Sequence, residues 1–213
     1  MTAIDATGLK KMFDEISTAI ETERDHLCVL DGVIGDADHG IAMALGFGAV
    51  RDALAGLDLS ATVPTTLFNT AAKSFLNAVG ASSGPLYATA FMRAAAAVKG
   101  KAALDEGDAL AMLQAMAKGI AERGKAVVGE KTMVDAWLPA AEAAAAAQSA
   151  GKGLAESMAA AADAARSGAE TTKSMVATKG RSARLGDRSL GHIDPGAASA
   201  AIVIEAMRKA LSD

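Results

Sequence analysis

The chain has 213 residues, a formal net charge of −4 and a pI near 5.4, and 51% of its residues are hydrophobic but only 3% aromatic. The acidic balance argues against a nucleic-acid-binding surface spread over the domain, and a single cysteine, Cys28, excludes a disulfide framework. No uncharged apolar run reaches the roughly 18 residues needed to cross a bilayer, and the first residues lack the pattern of a signal peptide. We therefore expect one cytoplasmic domain spanning residues 1–213, with no membrane or nucleic-acid partner.

Alanine is the most abundant residue type, and apolar residues recur at three- and four-residue steps along most of the chain. Alanine is the best helix former, and its small side chain lets helices pack closely, so we predict an all-α fold. Eight helices are predicted, at roughly residues 9–30, 41–54, 64–79, 85–98, 105–123, 131–148, 153–177 and from 195 onward. Mostly short connections favour antiparallel neighbours, which indicates an up-and-down bundle or a closed helical barrel. Alternate loops would then lie at the same end.

Three carboxylates, those of Asp31, Asp36 and Asp38, are crowded between the first two predicted helices, and no Lys or Arg lies between Arg24 and Arg51. Crowded carboxylates repel one another unless a cation lies among them. Oxygen-only ligands suit a hard ion such as Mg²⁺ or Ca²⁺, and Mg²⁺ commonly completes its shell with phosphate oxygens and water. A helix N-cap at Asp36 or Asp38 explains the same residues equally well, so both interpretations stay open.

A second loop of small residues, 80–84, precedes the fourth predicted helix and contains the hydroxyls of Ser82 and Ser83. A helix N-terminus with unpaired backbone N–H groups is a ready anion site. An ordinary capped turn would have the same composition. The loop is therefore a candidate phosphate site only in combination with the aspartates.

Residues 179–192, which we call the basic segment, carry four cations and three glycines just before the last helix. A basic, glycine-rich connection in an acidic chain favours a lid over an anionic ligand, although a solvated surface loop would look similar. Asp194 and Pro195 follow, and they predict the N-cap and the first position of the last helix.

Five sequence blocks stand out along the chain: GDADHG at 35–40, GPLY at 84–87, RGKA at 123–126, KTMVD with a following Trp at 131–137, and KGR through GHIDPG at 179–196. Taken together, they closely resemble the nucleotide-binding L subunit of dihydroxyacetone kinase. The blocks occur in that family's order and span nearly the whole chain. The resemblance implies an eight-helix antiparallel barrel that binds ADP or ATP at one end through two Mg²⁺ ions.

The resemblance also implies roles for individual residues. Asp31, Asp36 and Asp38 would be the Mg²⁺ ligands. The nucleotide would be contacted by His39, Gly40, Ile41, Ala42, Ser82, Ser83, Gly124, Met133, Arg181, Asp194, Pro195 and Gly196. No general base is assigned to this chain, because phosphoryl transfer depends mainly on positioning and charge neutralisation.

A ketose-binding K subunit is the partner that the resemblance implies, so this chain would be half of a kinase. The nucleotide would either exchange as ATP or stay bound as ADP and be rephosphorylated by a phosphotransferase-system phosphoprotein. The alternative from another functional class is a non-catalytic nucleotide-sensing module that docks onto a regulator.

Overall fold

The computed structural model describes residues 3–80 and 83–212, and its regular structure over those residues is helical. The nine α-helices are α1 (Ala6–Thr22), α2 (Arg24–Ile34), α3 (His39–Ala55), α4 (Pro64–Ala78), α5 (Ser83–Ala97), α6 (Glu106–Gly124), α7 (Val134–Ser149), α8 (Leu154–Thr171) and α9 (Pro195–Ser212). Two 3₁₀-helices, Thr172–Ser174 and Ser182–Ser189, lie between α8 and α9. The predicted all-α class is confirmed.

Eight of the helices form a closed ring. From α3 to α9 each helix packs against the next in sequence, α1 packs against α3, and α9 packs back against α1. The ninth helix, α2, packs mainly against α3 and α9. The ring therefore has the eight members expected of a closed helical barrel, and α2 is an addition to it.

The extra helix arises because the first predicted helix, residues 9–30, is two helices that meet at Glu23. Ile20 and Leu27 are both fully buried, but the six residues between them are all polar. The apolar stripe thus skips a turn, and packing does not hold a continuous helix across the gap. The backbone N–H of Glu23 bonds back to Ala19 and ends α1, while its carbonyl accepts from Leu27 and begins α2.

The core divides into an aromatic side and a small-residue side. Rings from α1, α3, α4 and α5 meet edge to face, with centroids 5.3 Å apart for Phe13 and Phe91 and 5.1 Å apart for Phe47 and Phe75. On the other side, α7, α8 and α9 bury mainly small residues, most of them alanine. Small side chains let these three helices approach closely, so the barrel needs few aromatic residues to fill it.

The topology brings alternate connections together at one end of the barrel. These are the α2–α3 loop, the start of the α4–α5 connection, the α6–α7 loop and the long α8–α9 loop, and residues from all of them line one cavity. Ile4 and Leu104 exchange backbone hydrogen bonds of 2.9 and 2.8 Å, which ties the chain before α1 to the α5–α6 connection. Within the described part of the chain, no helix is long and apolar enough to span a membrane.

Candidate functional site

The cavity at this end has a volume of about 670 Å³, within the range of small-molecule sites. It is open to solvent on one side and joins charged residues to apolar ones. Most residues singled out in the sequence line it, namely Asp31, Asp36, Asp38, His39, Ala42, Ser83, Gly124, Met133, Arg181, Asp194, Pro195 and Gly196. Residues separated by up to 165 positions along the chain are thus brought to one place.

Two of the predicted residues, Gly40 and Ile41, lie outside this cavity. Because α3 begins at His39, positions one helical turn apart, His39 and Ala42, share the cavity face. Gly40 instead packs against α2, where an added Cβ would lie 2.0 Å from the carbonyl oxygen of Arg24. Ile41 is half exposed and lines a separate surface groove. The prediction for Ser82 falls outside the described residues.

The aspartate cluster has the geometry of a cation site. One carboxylate oxygen from each of Asp31, Asp36 and Asp38 lies within 4.8 Å of the others. Asp31 is buried, whereas Asp36 and Asp38 are exposed at the cavity mouth. The donor set is entirely carboxylate oxygen, which fits a hard divalent cation such as Mg²⁺ and does not favour zinc or copper.

The capping role that competed with metal binding belongs to Asp31. Its Oδ2 accepts the backbone N–H groups of Asp38 at 3.0 Å and His39 at 3.2 Å, at the start of α3. Asp38 occupies the N-cap position, but its side chain makes no capping hydrogen bond. Gly35 allows this packing, because a Cβ there would lie 2.1 Å from Asp31 Oδ1. Asp31 thereby fixes the loop, and the carboxylates of Asp36 and Asp38 are left facing the cavity.

Arg181, in the basic segment, reaches across the cavity mouth to the aspartates. Its Nη1 contacts Asp36 Oδ2 and lies 3.3 Å from Asp38 Oδ2. All three side chains are about half exposed, so these ion pairs are screened by solvent. The contacts bring the α8–α9 loop over the cluster and put a cation beside these two carboxylates.

His39 is held on the inner side of the cluster. Its Nε2 lies 2.8 Å from the hydroxyl of buried Ser199, and that hydroxyl in turn donates to the Gly196 carbonyl at 3.0 Å. Burial lowers the pKa of His39, and nearby Asp31 opposes the shift. A neutral imidazole that donates through Nε2 satisfies both bonds, which leaves Nδ1 as the acceptor nitrogen.

The far wall of the cavity contains a buried charged group. Lys131 is 1% exposed, and its ammonium donates to the carbonyls of Thr172 at 2.6 Å and His192 at 2.5 Å. Burial lowers its pKa, while Asp194 and Asp135 act in the opposite direction. Asp194 accepts the Ala197 N–H at 2.7 Å as the N-cap of α9, as predicted, and burial raises its pKa to about 7.

Asp135 organises the α6–α7 loop next to Lys131. Its two carboxylate oxygens accept the N–H groups of Gly129 at 2.6 Å and Thr132 at 2.7 Å. The Asp135 side chain is buried and both bonds are charge-assisted, so they hold the loop to the start of α7. Asp135 thus holds Thr132, which lines the cavity.

Sequence reasoning missed several cavity residues, of which Lys131, Arg123 and Lys179 are charged. Lys131 stood in a recognised block but carried no distinctive local pattern, since its role depends on carbonyls 41 and 61 positions away. Arg123 ends α6 and Lys179 opens the basic segment. All three lie in the quoted sequence blocks, but only Lys179 belongs to the basic segment and none was assigned a role.

Comparison with known proteins identifies the family and relatives of similar length. Residues 33–209 match the family described as DAK2 domain. The chain is 36% identical to the protein named PEP-dependent dihydroxyacetone kinase 2, ADP-binding subunit DhaL, of Listeria innocua serovar 6a, covering 98% of each chain. It is 38% identical to the PEP-dependent dihydroxyacetone kinase, ADP-binding subunit DhaL, of Escherichia coli strain K12, covering 99% of this chain and 100% of the relative.

A solved structure has a similar fold. The dihydroxyacetone kinase from C. freundii, in complex with AMP-PNP and Mg²⁺, superposes with a TM-score of 0.73 and 25% identity. The superposition covers 98% of this chain and 35% of that one. The chain therefore spans about a third of the length of that kinase.

Proposed function

The chain belongs to the DAK2 domain family, and we propose that it is the ADP-binding subunit of a kinase that phosphorylates dihydroxyacetone or a related short ketose. The observation that carries the proposal is the convergence of three carboxylates and Arg181 at the mouth of a cavity of about 670 Å³. The names of two full-length relatives give the ligand and the reaction, and the geometry provides a place for both.

Two Mg²⁺ ions are proposed as the resident metals, held by Asp31, Asp36 and Asp38. When bound, the metal would neutralise phosphate charge and polarise the phosphoryl group. Asp36 and Asp38 offer the accessible oxygens, while Asp31 divides its oxygens between the site and the start of α3. The cluster would thus hold the ions against one wall and leave the outward side to phosphate oxygens.

The remaining cavity residues fit the parts of an adenine nucleotide. Ser83, at the first position of α5, and Arg181 would contact phosphate, and Ser82 is proposed beside them. Gly124 and Met133 would border the adenine or ribose. The turn of Asp194, Pro195 and Gly196 would close the inner side, with His39 and Ala42 on the α3 side. Gly40 would act indirectly, by letting α3 lie against α2.

The phosphoryl acceptor is proposed to be held on a separate K-type subunit that covers the cavity mouth. Val127 and Val128 lie in the α6–α7 loop, next to the cavity-lining Ala126, and are 63% and 51% exposed. Adjacent exposed valines are better suited to a protein interface than to water. The proposed phosphoryl donor is a phosphotransferase-system phosphoprotein acting on bound ADP, because the two relatives named above are PEP-dependent. The lone cysteine fits the proposed cytoplasmic location.

Reconstitution tests this proposal. The purified chain, a K-type subunit and dihydroxyacetone would be combined with Mg²⁺ and either ATP or the phosphoprotein relay, and phosphorylated ketose would be measured. We expect product from the combined subunits and none from either subunit alone. Nucleotide binding without any transfer, under both donors, would favour a nucleotide-sensing module instead.

A further inference from the structure

The ammonium of Lys131 bonds to both ends of one loop. Thr172 is the first residue of the α8–α9 loop, residues 172–194, and His192 is close to its last. Nζ of Lys131 donates to the carbonyls of both, at 2.6 and 2.5 Å. A lysine has three N–H donors and no acceptor, so it can bridge two carbonyls that would otherwise repel each other. A single side chain thus joins the two ends of the loop, which we call its neck.

Two other hydrogen bonds close the same neck. The N–H of Gly191 donates to the Lys173 carbonyl at 2.8 Å, and the N–H of Asp194 donates to the Thr172 hydroxyl at 2.9 Å. The neck is therefore narrow, and the residues between its two sides form a compact loop whose ends are held together. Arg181 lies within that loop and reaches the Asp36 and Asp38 carboxylates.

We propose that Lys131 is a positioning residue: its buried ammonium clasps the two ends of the α8–α9 loop and so holds Arg181 over the aspartate cluster. The proposal rests on the proposed function, because Arg181 matters only if the cluster and the cavity bind a metal–nucleotide complex. Lys131 itself acts through the loop.

The surroundings of Lys131 fit this role better than simple core packing. A buried ammonium is costly unless it is fully hydrogen-bonded, and an apolar side chain would fill the same space without that cost. Lys131 also has a φ of +62°, in the left-handed region that side chains other than Asn and Asp rarely adopt. Asp135 holds the residues on both sides, through Gly129 and Thr132, and thereby over-determines this conformation.

The same stretch of chain also supports the loop farther out. The N–H of Thr178 donates to the Glu130 carbonyl at 3.3 Å, and Lys179 Nζ lies 3.7 Å from the Glu130 carboxylate. Residues 130 and 131 therefore touch the loop both at its neck and just before Arg181. A substitution of Lys131 should therefore loosen the position of Arg181 without unfolding the helical ring.

The test is Lys131→Met, with Lys173→Met as its matched control. Both changes replace a lysine by methionine and remove one charge, but Lys173 Nζ pairs with exposed Glu170, at 2.6 Å, outside the clasp. Thermal unfolding is measured first. If Lys131→Met does not fold, Lys131→Leu is used, since its shorter apolar side chain likewise donates no hydrogen bond to the two carbonyls.

The first readout, which needs no nucleotide, is the order of the loop. Amide hydrogen exchange of Ala177 and Gly191, and tryptic cleavage after Lys179, Arg181 and Arg184, should become at least about tenfold faster in Lys131→Met. Exchange in α4 to α7 should not change, and Lys173→Met should behave like the parent. Unchanged exchange of the loop amides in Lys131→Met, or equal acceleration in the control, overturns the clasp.

The second readout is a double-mutant cycle with Arg181→Ala, followed as the dissociation constant of Mg·ADP. Lys131→Met should weaken binding by about tenfold or more in the parent but by no more than about twofold once Arg181 is gone. If the two fold-losses in affinity simply multiply in the double variant, Lys131 acts independently of Arg181, and the proposal is wrong. If the parent chain does not bind Mg·ADP, the proposed function fails, while the exchange measurement still decides whether the clasp exists.

Discussion

Two pairs of aspartates at the cavity end of the barrel differ in almost every physical respect. The side chains of Asp36 and Asp38 are 48% and 58% exposed, and they meet the cation of Arg181. Asp135 and Asp194 are buried, and they accept backbone N–H groups at 2.6 to 2.7 Å. Carboxylates whose oxygens are already taken by the backbone build the wall, whereas carboxylates with accessible oxygens can receive a ligand.

The difference lies in local structure. Asp194 caps α9, whose first N–H groups need acceptors, and Asp135 accepts two N–H groups of the loop that precedes α7. The exposed pair is freed from that duty because Asp31 caps α3 in their place. Because Asp31 makes the capping hydrogen bonds at the start of α3, the carboxylates of Asp36 and Asp38 remain available for binding. Identical substitutions in the two pairs should therefore give opposite results.

The largest effect is expected for Asp135→Asn. The amide replaces one acceptor oxygen by a donor that faces a backbone N–H, so a charge-assisted hydrogen bond is lost and a buried donor is left unpaired. We expect unfolding free energy to fall by about 2–4 kcal/mol, whether or not nucleotide is present. Denaturant titration measures the unfolding free energy. A loss below about 0.5 kcal/mol would show that Asp135 contributes as little to stability as the exposed Asp36 and Asp38.

The same change at Asp36 or Asp38 should leave the unliganded protein as stable as the parent or slightly more stable. At about 100 times its dissociation constant, Mg·ADP should stabilise the parent by roughly 2.7 kcal/mol, which for this length is a melting shift of about 5–11 °C. The asparagine variants should lose most of that shift. ADP with a chelator, and Mg²⁺ alone, serve as controls that should not reproduce it. Equal shifts in parent and variants would contradict the metal site.

The next prediction concerns Arg181, the cation that contacts Asp36 and Asp38. Arg181→Ala should weaken Mg·ADP binding by about 1.5–3 kcal/mol if the guanidinium makes a charge-assisted hydrogen bond to phosphate. Calorimetry gives the affinity. Arg184→Ala, in the same loop, provides a control of equal charge. An unchanged affinity would show that Arg181 does not contact the nucleotide and belongs to a solvated surface loop.

The smallest effect concerns pH. Burial raises the pKa of Asp194 to about 7, above its value in the unfolded chain, so between pH 4 and 7 the folded state binds the proton more tightly. The contribution of this group to stability therefore falls as the pH rises through that window. The unfolding free energy of the unliganded parent, measured relative to that of Asp194→Asn, should fall by on the order of 1–2 kcal/mol between pH 5 and 7. A constant difference between the two proteins across that range would show that Asp194 is ionised throughout.

The sequence patterns were sufficient for the helical class and for a bundle or closed barrel of antiparallel helices, and the resemblance to a known family supplied twelve of the residues that line the cavity. Periodicity and short connections carried the first two, because both depend on local patterns that survive in the folded state. The break at Glu23 was missed, although the run of six polar residues between Ile20 and Leu27 was visible. The placement of Gly40 and Ile41 depended on the exact first residue of α3, which sequence patterns fix poorly.

The contacts that define the site were out of reach of sequence reasoning. Asp31 as the cap of α3, Lys131 between Thr172 and His192, and the meeting of Arg181 with Asp36 all join residues whose pairing follows from the ring. Crowded aspartates indicated that a cation was needed, but not which carboxylates would be free to receive it. That distinction depends on burial and on neighbouring N–H groups, both of which are products of the fold.

The closed ring also determines where α1 begins and where α9 ends. Because α9 starts at the cavity and α1 starts beside Leu104 at the opposite end, the outer ends of these adjacent helices are close together and far from the cavity. The ring is therefore cyclic in space although the chain is linear. A circular permutant that joins those ends by a short linker and opens in the α3–α4 connection, residues 56–63, would keep every loop of the site intact.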